Sequence, residues 1–240
     1  MKRTVLGFAS LFLFVVSGVA QQPVAVLRYV PVSVAAASEA GAPSTAALWS
    51  GLMEGNDRFA SGASHQRALV EQRASLAKGQ HPHVIVLACS DSRVAPELIF
   101  DQSLGDLFVI RAAGNIADPI GLGSMEYAFA HLGSTMLVVL GHTKCGAVTA
   151  ACSREKMPTP NLQAIVDKIN PAVAQVGDSS KGDELVEAAV KQNIHQSAKD
   201  VLANSDVLRH AVEDGKLTVI EAEYNIETGR VTRLDGSASH

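Results

Sequence analysis

The chain has 240 residues, a length that admits one generous domain or two small ones. Hydrophobic residues make up 47% and charged residues 18%, which excludes a polyelectrolyte or a disordered chain. The formal charge of −4 gives no electrostatic reason to bind nucleic acid, and the three cysteines are too few for a disulfide scaffold and cannot all pair within one chain.

Residues 1–20 read as a signal peptide. Lys2 and Arg3 precede an apolar run from Val5 to Val16, and Ser17-Gly18-Val19-Ala20 offers small residues for cleavage after Ala20. That run is shorter than the roughly 20 apolar residues that span a bilayer, which argues against a membrane anchor. The expected product is periplasmic or secreted, with no membrane partner after cleavage. Residues 21–45 are rich in Ala, Val, Pro and Ser and carry hardly a charge, so they read as a linker or N-terminal arm. Val24, Val26, Leu27, Tyr29, Val30 and Val32 are apolar enough for that arm to lie on a partner subunit.

Residues 46–240 form the expected folded domain. Leu48, Leu52, Met53 and Phe59 recur near helical spacing before Gly62, and a second helix is predicted from Gln66 to Ala77. Val84 to Ala88 and Met136 to Leu140 are wholly apolar runs followed by polar residues and small turns, which predicts strands buried on both faces and therefore parallel. A third strand is predicted from Leu107 to Ile110 and a helix from Met125 to His131. Val186, Val190, Ile194, Ser197 and Val201 line one stripe of a helix from Asp183 to Asn204, whose charges form its solvated face. Leu217 to Tyr224, a turn at Glu227-Thr228-Gly229 and Val231 read as a closing strand and edge. The alternation predicts an α/β fold: a single domain with a central, mainly parallel sheet, flanking helices and an N-terminal helical extension.

Both apolar strands run into polar motifs. Cys89-Ser90-Asp91-Ser92-Arg93 follows one, and Gly141-His142-Thr143-Lys144-Cys145-Gly146 spans the end of the other. Ligands of an open parallel sheet collect beyond the carboxyl ends of its strands, so the two segments can meet in one crevice. Cys89, His142 and Cys145 then make a Cys2His set that suits zinc and leaves a fourth position for water, acidified to a pKa on the order of 7. A carboxylate two residues from a ligand can itself fill that position; Arg93 offers Asp91 a bidentate alternative that lysine cannot reproduce. Taken alone, these short patterns also fit buried free cysteines and a plain surface ion pair.

On these residues, the chain from about Ala46 to Leu234 resembles a β-class carbonic anhydrase, with the CSDSR and GHxxCG motifs complete. Gly55-Asn56-Asp57-Arg58-Phe59, Gly105-Asp106-Leu107-Phe108-Val109-Ile110-Arg111 and Glu126-Tyr127-Ala128 extend the likeness. The resemblance implies one zinc ion per chain on Cys89, His142 and Cys145, and a catalytic pair of Asp91 and Arg93 with Asp91 as fourth ligand in a closed state. The implied reaction is reversible hydration of carbon dioxide to bicarbonate and a proton. It further implies Gln80 as a donor to substrate, Phe108 and Tyr127 as pocket aromatics and Gly146 as a backbone amide beside the substrate. Ala113 stands where the plant-like branch has a larger aliphatic residue, a departure that bears on pocket width. The family builds its sites at subunit interfaces, so a homodimer or homotetramer is expected, with Gln80 and Tyr127 reaching a neighbour's zinc.

Three other functions compete with hydration. Hydrolysis of carbonyl sulfide or carbon disulfide uses the same fold, while a non-catalytic zinc-binding or carbon-dioxide-sensing protein has no need of Asp91 and Arg93. A thiol redox role lacks a C-x-x-C pair. Cys152 reads as a buried structural cysteine on the helix after Cys145, His81 and His83 as surface histidines, and Trp49 as a packing residue.

Overall fold

Val84–Ala88 (β1) and Met136–His142 (β3) pair in parallel, and every residue of both is buried. Successive side chains point to opposite faces of a strand. Accordingly Ile85, Leu87, Leu137 and Val139 enter one apolar cluster, and Val84, Val86, Met136, Val138 and Leu140 another. The sheet is thus the middle of three layers, as a parallel sheet buried on both faces requires. A computed structural model describes residues 43–177 and 180–234. The expected signal peptide and all of the expected arm before Pro43 lie outside the described residues.

The sheet has the order β2-β1-β3-β4-β5, with Leu107–Arg111 as β2, Thr218–Tyr224 as β4 and Val231–Arg233 as β5. All pairings are parallel except β4 with β5. The α/β class, the parallel sheet and the closing edge are as the sequence predicts.

On one face lies Thr45–Ala60 (α1), started by the Ser44 hydroxyl, which accepts from Ala47 N at 3.3 Å. Leu69–Leu76 (α2) is shorter than predicted and buries nothing, so it adds little to the core. The Gly-Asn-Asp-Arg segment of α1 has a local reason. A Cβ at Gly55 would sit 1.9 Å from the Phe100 carbonyl oxygen. Asn56, 1% exposed, donates to Ile99 O at 3.1 Å and Gly229 O at 2.8 Å and accepts from Val231 N at 2.8 Å. It thereby ties α1 to the short helix Pro96–Ile99 (α3) and to the β4–β5 hairpin. Arg58 and Arg67 neutralise the buried Asp101. Trp49 packs against this cluster, as expected.

The other face carries Pro119–Leu132 (α4), Gly146–Ser153 (α5), Pro160–Val176 (α6), Gly182–Asn204 (α7) and Asp206–Glu213 (α8). The helix predicted from Met125 begins six residues earlier, where Asp118 caps Gly121 N at 2.6 Å and Pro119 opens the first turn. α3, α6 and α8 were not among the predicted elements. α6 has a legible start at Thr159-Pro160, but Pro171 lies inside it and reads as a breaker. α7 buries Val190, Ile194, Ser197 and Val201 as predicted, with Lys191 and Lys199 on its solvated side. Among the described residues no helix is long and apolar enough to cross a membrane.

Candidate metal centre

β1 delivers Cys89 one residue beyond its end, 4% exposed, and β3 delivers His142 as its last residue, fully buried. Because the two strands are hydrogen-bonded neighbours in parallel register, both side chains emerge at the same end of the sheet. The chain then turns through Lys144, at φ 57°, and returns Cys145 to the cluster as the N-cap of α5, 2% exposed. The ligand atoms of Cys89, His142 and Cys145 all lie within 4.8 Å of one another.

His142 Nδ1 stands 2.9 Å from its neighbour's carbonyl, Thr143 O. A carbonyl only accepts, so Nδ1 carries the proton and Nε2 keeps the free lone pair. That Nε2 atom is buried and has no hydrogen-bond partner among the described residues. An orphaned imidazole lone pair beside two sulfurs is what a zinc ion would satisfy, so the donor set fits the metal. Thr143 is itself anchored, its N–H donating to Tyr224 O at 3.0 Å and its hydroxyl accepting from Ile226 N at 3.1 Å.

The two thiols are electrostatically unlike. The Cys145 thiol donating to Cys89 lowers the Cys89 pKa to about 4 against the opposing effect of burial, helped by the N–H groups of Asp91 and Gly114. Those N–H groups lie 3.4 and 3.3 Å from Cys89 Sγ. Cys145 is raised, first by that hydrogen bond to Cys89 and then by burial, while Val148 and Ala147 N–H groups in the first turn of α5 pull the other way. Two thiolates this close require a cation between them.

Asp91 and Arg93 meet as expected. Arg93 Nε donates to Oδ1 at 2.9 Å, its terminal nitrogen to Oδ2 at 2.8 Å, and its backbone N–H to Oδ1 at 3.0 Å. The guanidinium holds the carboxyl far below the usual carboxylate range. Arg111, at the end of β2, donates to Cys89 O at 3.0 Å and Asp91 O at 2.6 Å and so fixes the backbone of this loop from outside. Its place in the supporting segment was legible; its contact with two carbonyls of another segment was not.

Of the remaining expected site residues, Phe108, Tyr127 and Gln80 lie away from this cluster and Gly146 lies beside it. Phe108 is level with Ile85 in the β1–β2 register, about 13 Å short of Cys89 at roughly 3.3 Å per residue. Its ring centroid is 6.4 Å from that of Tyr127, which is 49% exposed on α4. Gln80 is exposed in the segment leading into the start of β1, whereas Cys89 follows its end. Gly146 opens α5 beside Cys145, and a Cβ there would meet nothing within 4 Å. Two bystanders differ from expectation. Cys152 is half-buried, because it sits at the last turn of the short α5. His83 is also half-buried, its Nδ1 enclosed without a partner among the described residues where the chain enters the sheet. His195, given no role from sequence, bridges α7 to the buried Glu221 at 3.0 Å.

A mainly parallel sheet that gathers a buried Cys2His group beyond adjacent strand ends defines a zinc-binding α/β protein whose three ligands leave the fourth position of a tetrahedral ion unassigned. The family model for carbonic anhydrase matches residues 84–231, and the chain belongs to that family, in its β class. It is 37% identical over 193 residues to carbonic anhydrase 2 of Mycobacterium tuberculosis, covering 79% of this chain and 92% of the relative. It is 38% identical over 175 residues to a carbonic anhydrase of Pseudomonas aeruginosa, covering 68% and 78%. The solved β-carbonic anhydrase CcaA superposes with a TM-score of 0.63 at 32% identity, over 78% of this chain and 95% of that one. A structure described among two tetrameric β-carbonic anhydrases of Sordaria macrospora gives 0.63 at 26% identity, over 78% and 97%.

Proposed function

We propose that Cys89, His142 and Cys145 hold the one zinc ion with which this chain reversibly hydrates carbon dioxide to bicarbonate and a proton, and that Asp91 and Arg93 govern the fourth position. The convergence of three buried ligand atoms within 4.8 Å, in a chain of the carbonic anhydrase family, carries the reading. Zinc, when bound, acidifies water to a pKa on the order of 7 and so supplies a nucleophile at neutral pH.

The chain's own residues do the rest. Cys89 and Cys145 neutralise the dication, and His142 supplies the third, uncharged ligand. A carboxylate has about four lone-pair sites. Arg93 occupies three of those on Asp91, two at Oδ1 and one at Oδ2, which leaves one on Oδ2 to accept from the attacking water and fix its orientation. Gly146 leaves open space beside Cys145 for a small uncharged substrate, with its backbone amide near the substrate.

Gln80, Phe108 and Tyr127 complete the pocket from a neighbouring subunit in a homodimer or homotetramer. Three observations support this: their separation from their own metal centre, an outer edge of β2 that pairs with no other strand among the described residues, and the exposure of Ile120 (81%) and Tyr127 (49%) on the adjacent α4. A fully active monomer in solution overturns it. The leader supports export to the periplasm or beyond; a secreted protein that keeps Met1 refutes cleavage.

The deciding experiment is stopped-flow carbon dioxide hydration on the purified protein, with metal measured on the same sample. Zinc near one per chain and hydration that disappears with the metal are expected. Zinc at one per chain without hydration at any pH from about 6.5 to 9 overturns the enzymatic reading.

A further inference from the structure

The stripe by which α7 packs on the sheet contains one amide. Asn193 is 1% exposed and sits among Ala189, Val190, Ile194 and Val201, where an aliphatic residue would bury more cheaply. Its Nδ2 donates to Gly114 O at 2.8 Å, across 79 positions of sequence. Gly114 in turn donates its N–H to Cys89 Sγ at 3.3 Å.

Gly114 adopts φ 71° and ψ 20°, and a Cβ on it would meet Ile169 Cδ1 at 2.7 Å. A side chain there would be strained by the left-handed backbone, and glycine, which is not, has the freest backbone of any residue. The direction of its N–H therefore depends on what holds its other side. Asn193 supplies that hold at the carbonyl, and the same helix packs Ile194 against Gly141, where a Cβ would come within 2.4 Å of Ile194 Cγ1. α7 thus braces the end of β3, which delivers His142, and the Gly114 turn that donates to Cys89.

We infer that Asn193 is a positioning residue of the metal centre, acting through Gly114 to keep an N–H aimed at the Cys89 sulfur. An N–H donated to a thiolate withdraws charge from it, so the ligand gives less to the metal and the metal stays a stronger Lewis acid. With two thiolates in the set, each such donor matters. The Asp91 N–H comes from the ligand's own loop, whereas the Gly114 N–H is set by a helix from the far side of the sequence.

This role rests on the zinc reading, and cobalt substitution tests the two separately. In the full-length Co2+ protein, Asn193→Leu removes the donor at similar volume. It should move the thiolate-to-cobalt charge-transfer band to longer wavelength. Asn193→Ser, polar but too short to reach Gly114, should do the same and carries the test where the leucine variant does not fold. Ser197→Ala removes the 3.4 Å contact with Asn115 from the same helix face and should leave the band in place. An unmoved band in the Asn193 variants, or an equal shift in Ser197→Ala, overturns the role and makes Asn193 a packing residue. A wild-type chain that takes up no cobalt overturns the metal reading itself.

Discussion

Replacing Cys89 by serine should strip the site of zinc and lower kcat/KM for carbon dioxide hydration by about a thousandfold or more, the scale of losing several kcal/mol of metal assistance. Serine is nearly isosteric, but its hydroxyl stays protonated near neutral pH and does not replace a thiolate. The remaining pair, His142 and Cys145, offers two ligands where a catalytic zinc takes three from the protein. The N–H groups of Asp91 and Gly114 lose the sulfur they point at. β1 and its buried neighbours are untouched by the change, so the variant should keep the wild-type far-ultraviolet circular dichroism. Zinc per chain and stopped-flow rate, measured together, check it. A variant that retains full zinc shows that Cys89 is not a ligand.

The ligands were legible because of where they stand. Each closes or follows a wholly apolar strand, and such strands bring their ends together whatever the intervening length. Asp91 and Arg93 were legible because their spacing is local and the contact is closed within one turn. What sequence did not reveal is the layer that aims these groups. Arg111 reaches two carbonyls of a neighbouring strand's loop, and Asn193 reaches Gly114 from a helix 79 residues away. Neither contact has a period or a spacing. Asn193 did leave one trace, an amide at the edge of the Val190–Ile194–Ser197 stripe, and a buried polar residue on an apolar face calls for a partner. The helices that went unread failed for local reasons: Pro171 inside α6, and the brevity of α3 and α8. Gln80 and Phe108 carry a different lesson. Motif likeness assigned them to a pocket, and because a strand about 17 Å long at roughly 3.3 Å per residue separates the start of β1 from Cys89, the pocket they would serve is a neighbouring subunit's rather than their own.

Arg93→Ala should abolish most activity, about a hundredfold or more, while leaving zinc at one per chain. The guanidinium is the first cause of the low Asp91 pKa, so its removal lets that pKa rise toward the ordinary carboxylate range near 4. Asp91 nevertheless remains ionised at neutral pH, and it is now unpaired. Its backbone N–H already lies 3.4 Å from Cys89 Sγ, so the freed carboxylate stands beside the fourth position and can close it. Because a lowered carboxylate pKa stabilises the fold above its unfolded value, the ion pair's contribution is lost as pH falls below about 4 and is present in full, without pH dependence, across the assay range. Arg93→Lys should recover little, since an ammonium cannot span both oxygens. The decisive comparison is the double variant Asp91→Ala with Arg93→Ala. Removing the carboxylate that closes the site should make the double variant more active than Arg93→Ala alone, although below wild type for want of an acceptor for the water. Loss of zinc from Arg93→Ala, or a double variant no faster than the single one, would show that Arg93 does not restrain Asp91.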